Sequence, residues 1–419
     1  MARSLTPRDA HTLMNLLVKE ATGQDGTIQA VDSSTFVSAG EQVLATGMEN
    51  TLNALSLVLG RTFMAVRPYD AKLRIINAIN SGAYTSRMRK ISFYFRESQA
   101  SGDWNTQSYT NLAMDYDNGD NSNSSTPSMW VQNQPVPLEL NFAGRSVWED
   151  STTVYEYQVK QAFRSEEEFS SFVAGILTEK GNDIESQKEA FNRMTLLNYI
   201  GGVYDLNAGG FMPGSAVDLV AAFNAKFGTS YTGSDLRGAH LKEFLEFFVA
   251  TVKNTSLVLE NRSSNRHWSP AKTINGVNYK LLRHTPKDRQ RLILYAPLFN
   301  DARAMVMPDI FQPGYLDIPE HEEVLYWQNE NVPFGVSVTP AIPDPVNPST
   351  GQIAGNAVAL DYVVGVLYDA DALMIDYQLD AQAVTPLEAR KHYRNIWWTF
   401  SKNAINDFTE NGVVFYMAS

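Results

Sequence analysis

The chain has 419 residues with 34 basic against 46 acidic side chains, a formal net charge of −12, and no cysteine. The missing cysteine excludes disulfides, thiolate metal sites, iron–sulfur clusters and cysteine nucleophiles, and it fits assembly in a reducing cytoplasm. The acidity argues against a dedicated nucleic-acid binder coated in Lys and Arg, while it is compatible with enclosing DNA without gripping it. A hydrophobic fraction of 44%, with 21 Phe, 19 Tyr and 7 Trp, is enough to bury two or three domains or one extended subunit with several lobes.

In chain order, the first expected element is a helix over residues 7–21, with Thr6 as cap and Leu13, Leu16 and Leu17 on one side, opening a mobile arm. With charges spread through residues 1–21 no secretory leader is expected there, no apolar run reaches membrane-spanning length, and the chain is expected to be soluble. Residues 23–40, rich in Gly, Ser, Thr and Asp, read as an extended connector, and residues 41–59 read as a helix burying Val43, Met48, Leu52, Leu55 and Leu59. Short β-branched and aromatic runs follow, with residues 91–95 reading as a strand. Residues 97–135 are polar and Asn/Ser-rich, a long loop or hairpin tip. Trp104, Tyr109, Tyr116, Met129 and Trp130 are interleaved in it, a load that suits burial against another subunit or folding of the loop over its own domain.

Residues 147–163 read as extended, and a long helix is then expected over 164–202. Ser165 caps it, Glu166, Glu167 and Glu168 favour its positive end, and Glu168 completes a capping box. Its apolar face runs Phe169, Phe172, Val173, Ile176, Leu177, Ile184, Phe191, Met194 and Leu197, with a weak point at Gly181 and a stop at Gly201 and Gly202. Helices are expected again over 213–228 and 234–254, then proline-broken strands at 291–295, 324–327, 334–338 and 362–368, a loop over 341–355, and a final strand at 412–417.

Catalytic and cofactor signatures are missing from the sequence. No two of the six histidines stand at i, i+4, and neither a phosphate-cradling G-x-x-x-x-G-K-[ST] nor a nucleophile-bearing G-x-S-x-G is present. Around Asp115, the acidic run fails as a calcium loop because Gly119 falls at its fifth position and Thr126 stands at the twelfth. Glu322 and Glu323 beside His321 read as a solvated acidic turn. No enzyme activity, metal or cofactor is expected. Basic clusters at Arg87, Arg89 and Lys90, at Arg262 and Arg266, and at Arg283, Lys287, Arg289 and Arg291 are either solvated faces or edges that meet acids on a neighbour, such as residues 166–168 or 320–323.

Several segments resemble the major capsid proteins of tailed bacteriophages, the Hong Kong 97 fold, with the character of short-tailed podophage head proteins. The resemblance rests on residues 163–173 running to Tyr199, Ile200, Gly201 and Gly202, on the turn 262–268, on 363–373, and on the aromatic tail from Tyr393 to Phe400 with Asn403 and Val413 to Phe415. It implies an α+β fold with an N-terminal arm over 1–65, an E-loop region over 66–160, and a peripheral domain with the spine helix over 161–260. A mainly axial domain over 261–375 and a C-terminal return to the peripheral domain over 376–419 would complete it. It implies self-assembly into hexamers and pentamers around double-stranded DNA, no membrane, and scaffolding, portal and minor capsid proteins as partners in the host cytoplasm. Trp104, Tyr109, Tyr116, Trp130, Arg87, Arg89, Glu166 and Glu167 would then be subunit-interface candidates. Two other classes fit the composition: another phage virion protein, such as a portal, tail or minor head protein, and a carbohydrate-binding or carbohydrate-active protein.

Overall fold

A computed structural model describes residues 7–23, 29–47, 50–51, 53–55, 58, 73, 75–79, 87–96, 135–143, 146–270, 272–274, 277–305, 320–344 and 352–418. Its organising element is the long helix Glu166–Ala208, 43 residues without interruption. At 1.5 Å per residue it spans about 65 Å. The Ser165 hydroxyl accepts from Glu168 N at 3.2 Å, and three glutamates occupy the first turn, so the N-terminus forms where the sequence predicts. The C-terminus does not. Gly201 and Gly202 lie inside the helix, because a Cβ on Gly201 would meet Val338 Cγ1 at 2.5 Å and one on Gly202 would meet Phe408 Cζ at 2.3 Å. These glycines allow close approach of neighbouring chain rather than ending the helix.

The helix joins two hydrophobic cores. Its first half contributes Phe169, Val173 and Ile184 to a core shared with helix α1 (Pro7–Thr22), helix α2 (Ser33–Ala45), Phe163 and Trp398. Its second half contributes Phe191, Leu196, Tyr199, Ile200, Val203 and Leu206 to a larger core with the helix Leu241–Glu260 and a five-stranded sheet. That sheet runs β10 (Glu320–Val324), β9 (Gln290–Tyr295), β15 (Tyr362–Asp369), β18 (Gly412–Met417), β6 (Ala216–Asp218). All eight residues of β15 are buried, as expected of a central strand covered on both faces. A second sheet runs β1 (Asn77–Ile79), β16 (Leu373–Val384), β17 (Tyr393–Asn406), β5 (Ser146–Tyr155), and β5 stands at its edge.

Several expectations are corrected. The first helix is docked rather than mobile, with Leu13, Met14, Leu17 and Val18 buried and Leu16 turned outward. The expected connector contains α2, because Asp32 and Thr35 form a reciprocal capping box that starts a helix inside a polar run; the helix ends at Ala45, Thr46 caps it, and Gly47 follows with φ 99°. Residues 147–163 divide into β5 and the short helix Glu156–Ala162. The predicted 234–254 helix is broken at Gly238 into Gly233–Arg237 and Leu241–Glu260, and the 341–355 loop carries a small hairpin of β12 (Ala341–Pro343) and β13 (Gln352–Ala354). The 324–327 strand lies earlier, at β10.

Candidate functional site

Strands β2 (Arg87–Phe93) and β4 (Pro137–Ala143) form an antiparallel two-stranded ribbon with Ile91 opposite Glu139 and Phe93 opposite Pro137. Alternation gives it two different faces. Leu138, Leu140 and Phe142 turn inward onto Leu281 and Ile405. Arg89, Ile91, Phe93 and Glu139 turn outward, with Ile91 51% and Phe93 62% exposed. Arg89 donates to Glu139 at 2.8 Å across the outer face.

The ribbon is anchored by a buried ionic cluster. Lys90 pairs with both Asp407 and Glu410 in the turn between β17 and β18. Arg283 approaches Glu410 at 3.3 Å, donates to Thr409 O at 3.0 Å, and donates to Ser92 Oγ on the ribbon at 2.7 Å. Asp407 also accepts from Thr409 N at 2.9 Å and from its hydroxyl at 2.7 Å. Burial works against the charge on Lys90, but Asp407 and Glu410 outweigh it and hold the ammonium above its ordinary range. Burial raises the Glu410 carboxyl, with Lys90 and Arg283 pulling the other way. Beside the cluster, burial lowers His267, whose Nε2 donates to Leu281 O at 3.0 Å. Two acids facing two bases, all hydrogen-bonded, make a structural clamp; the acids have no free geometry for general acid–base work.

A second exposed feature is the edge strand β5. Val147 is 57% and Trp148 46% exposed, and β5 has a sheet neighbour only on the β17 side among the described residues. Beside the middle of the long helix runs a groove of about 760 Å³. Its one acid is Glu189, already bonded by Arg193 at 2.9 Å, and Arg193 lies 3.9 Å over the Tyr326 ring. Among the described residues there is no cluster of three metal-ligating side chains, and no helix is long and apolar enough to cross a membrane.

Of the sequence-derived candidates, Arg89 lies on the outer face of the ribbon and Arg87 stands on the same strand opposite Ala143. Glu166 is engaged within the chain, bonded to His11 and accepting from Ser33 Oγ at 3.2 Å, so it ties α1 and α2 to the long helix. Glu167 is exposed beside it. Trp104, Tyr109, Tyr116 and Trp130, and the acidic run around Asp115, lie outside the described residues. The basic run at 283–291 has partners in its own chain: Arg289 pairs with Asp371, and Arg291 with Glu320 at 2.6 Å. Glu322 accepts from Ile75 N at 3.1 Å and also from Leu73 N. The sequence places Lys90 in a basic group that is either solvated or meets acids on a neighbour, and it does not single out Asp407 or Glu410; the acids that Lys90 meets are in its own chain. The available signal was alternation, since Lys90 sits out of phase with exposed Arg89 and Ile91.

The described residues are thus those of a mixed helix and sheet protein. No family model matches the chain, and no curated protein matches it. Solved structures that resemble it include phage capsid and head structures. The capsid structure of Staphylococcus phage Andhra is 11% identical with a TM-score of 0.49, covering 84% of this chain and 85% of that one. The structure of head fiber and inner core protein gp22 of native bacteriophage P68 is 10% identical with a TM-score of 0.45, covering 83% and 85%. The asymmetric unit of the bacteriophage PhiM1 mature capsid is 10% identical with a TM-score of 0.39, covering 84% and 88%.

Proposed function

We propose that the chain is the major capsid protein of a tailed phage, a shell subunit of the Hong Kong 97 kind that assembles into hexameric and pentameric capsomers around double-stranded DNA. The observation that carries this reading is the 43-residue helix shared by two separate cores, together with a ribbon whose outer face exposes Ile91 and Phe93 beside the Arg89–Glu139 pair. A rod that braces two lobes gives a subunit stiffness over a long reach, and exposed Ile91 and Phe93 on the ribbon ask for a partner. In this reading the long helix is the spine and the ribbon is the base of the E-loop. Trp104, Tyr109, Tyr116 and Trp130 would then anchor the loop on a neighbouring subunit. The net charge of −12 would limit adhesion of the inner surface to packaged DNA. Scaffolding, portal and minor capsid proteins would be the partners, with assembly in the host cytoplasm and a final place in the virion.

The test is negative-stain electron microscopy of the protein expressed alone and together with the genes adjacent to its own. Closed shells or capsomers are expected. Rings or tubes would favour a portal or tail protein instead, and small discrete particles under both conditions would overturn the reading.

A further inference from the structure

Among the described residues, two strand edges without a sheet neighbour match each other. Glu156 N donates to His392 O at 3.0 Å in continuation of the β5–β17 register, so alternate residues from Val154 back to Ser146 bond toward β17. Val147, Glu149, Ser151 and Thr153 consequently turn their N–H and C=O groups away from the sheet. Tyr94 N donates to Val136 O at 3.0 Å in continuation of the β2–β4 register, and by the same alternation Arg87, Arg89, Ile91 and Phe93 turn theirs to the free edge of β2. Within one copy these two edges do not pair with each other.

We infer that the free edge of β2 in one copy of the chain adds antiparallel to the free edge of β5 in a second copy, with Arg89 opposite Glu149 and Ile91 opposite Val147. This rests on the shell-subunit reading. The phase is set by the backbone, since hydrogen-bonding residues on one edge must face hydrogen-bonding residues on the other, and only registers differing by two residues remain. Charge and apolar matching together choose among them. The chosen register sets the Arg89 guanidinium against the Glu149 carboxylate and exposed Ile91 against exposed Val147 on one face; a shift of two either sets Arg87 against Glu149 but Arg89 against Val147, losing the apolar match, or sets Ile91 against Glu149, losing the charge match. Arg89 keeps donors for Glu149 while holding Glu139. Asp150 Oδ1 accepts from Ser151 N at 2.8 Å, which closes the β5 edge beyond Glu149 and sets where the added strand stops. A strand left with open backbone groups and exposed apolar side chains is a template for such addition.

The cysteine-free chain supplies a clean test. Directly opposed hydrogen-bonded residues have Cα atoms about 5.5 Å apart, inside the range a disulfide spans. Ile91→Cys subunits mixed with Val147→Cys subunits, assembled and mildly oxidised, are expected to give a disulfide-linked dimer on non-reducing electrophoresis. Ile91→Cys mixed with Ser151→Cys is expected to give none. In parallel, Arg89→Glu should lose assembly and Glu149→Arg in the same chain should restore it, a rescue that a merely local effect on Glu139 would not produce. Circular dichroism of each variant separates lost folding from lost assembly. Particles that form without the 91–147 link, or with equal linking in both mixtures, overturn this inference and leave the shell reading standing. Absence of particles from the unmodified chain overturns both.

Discussion

Gly202, inside the long helix, lies so close under Phe408 that a Cβ would stand 2.3 Å from the ring. Phe408 in turn stacks on Tyr199, one helical turn earlier, with ring centroids 5.4 Å apart and planes 8° from parallel. Helix, ring and the 407–411 turn are thus one packed unit. Gly202→Ala gains helix propensity of up to about 1 kcal/mol. It also overpacks a closed core, which costs about 1–3 kcal/mol. Overpacking is expected to win, and a lower midpoint in denaturant unfolding checks it; an unchanged or higher midpoint would show that Phe408 can move aside.

Lys90 is the cation on which the ribbon depends. Lys90→Met leaves Asp407, 1% exposed, short of its partner, and loss of one member of a buried pair costs about 3–5 kcal/mol. The bonds from Thr409 to Asp407 put the expectation at the low end of that range. Equilibrium unfolding should show it. Because the Lys90 pKa is raised in the folded state, its stabilisation is complete below the ordinary value of 10.5 and fades as pH rises through the folded value. The gap between native and Lys90→Met stability should therefore narrow only in strong alkali.

Lys402 behaves oppositely. It lies over the Trp148 ring at 4.7 Å and the Phe191 ring at 5.7 Å, and burial, helped by nearby Lys188, pulls its pKa down to about 8. Between about 8 and 10.5 the unfolded chain holds the proton that the folded chain has released, so this group makes stability rise with pH across that window. Lys402→Met should remove the rise. A thermal-melt series between those values that is identical for both proteins would refute the assignment.

Asp32 starts α2, accepting from Thr35 N at 2.8 Å, and this bond with those from Ser34 and Thr35 side chains draws its pKa down to about 2 from 3.8. Its contribution is present above 3.8 and is lost as pH falls toward 2. Asp32→Ala should speed amide hydrogen exchange in the first turn of α2 at neutral pH, and Asp32→Asn, which keeps the cap, should restore most of the protection.

The start of the long helix was legible because its signal is local: Ser165 and three glutamates act on the first turn and need no distant partner. Its end was not, since Gly201 and Gly202 look like stop signals until Val338 and Phe408 arrive from more than a hundred residues away. The same division holds at the ribbon. The β-character of residues 91–95 was readable from residue type, but the burial of Lys90 depends on a turn over three hundred residues later.

By itself the sequence determined the cysteine-free chemistry, the acidic balance, the start of the long helix with the apolar face of its first half, and the strand-rich remainder, because composition and periodicity act within a few residues; in the second half Met194, expected on the apolar face, is 54% exposed, and Leu196, Tyr199 and Ile200 are buried instead. Tertiary structure decided which glycines pack rather than terminate, which charges are clamped within the chain, and which strand edges stay open. Those outcomes depend on what reaches each residue through space: Glu166 meets His11 and Lys90 meets Glu410, while among the described residues Glu149 and Val147 remain on an open edge.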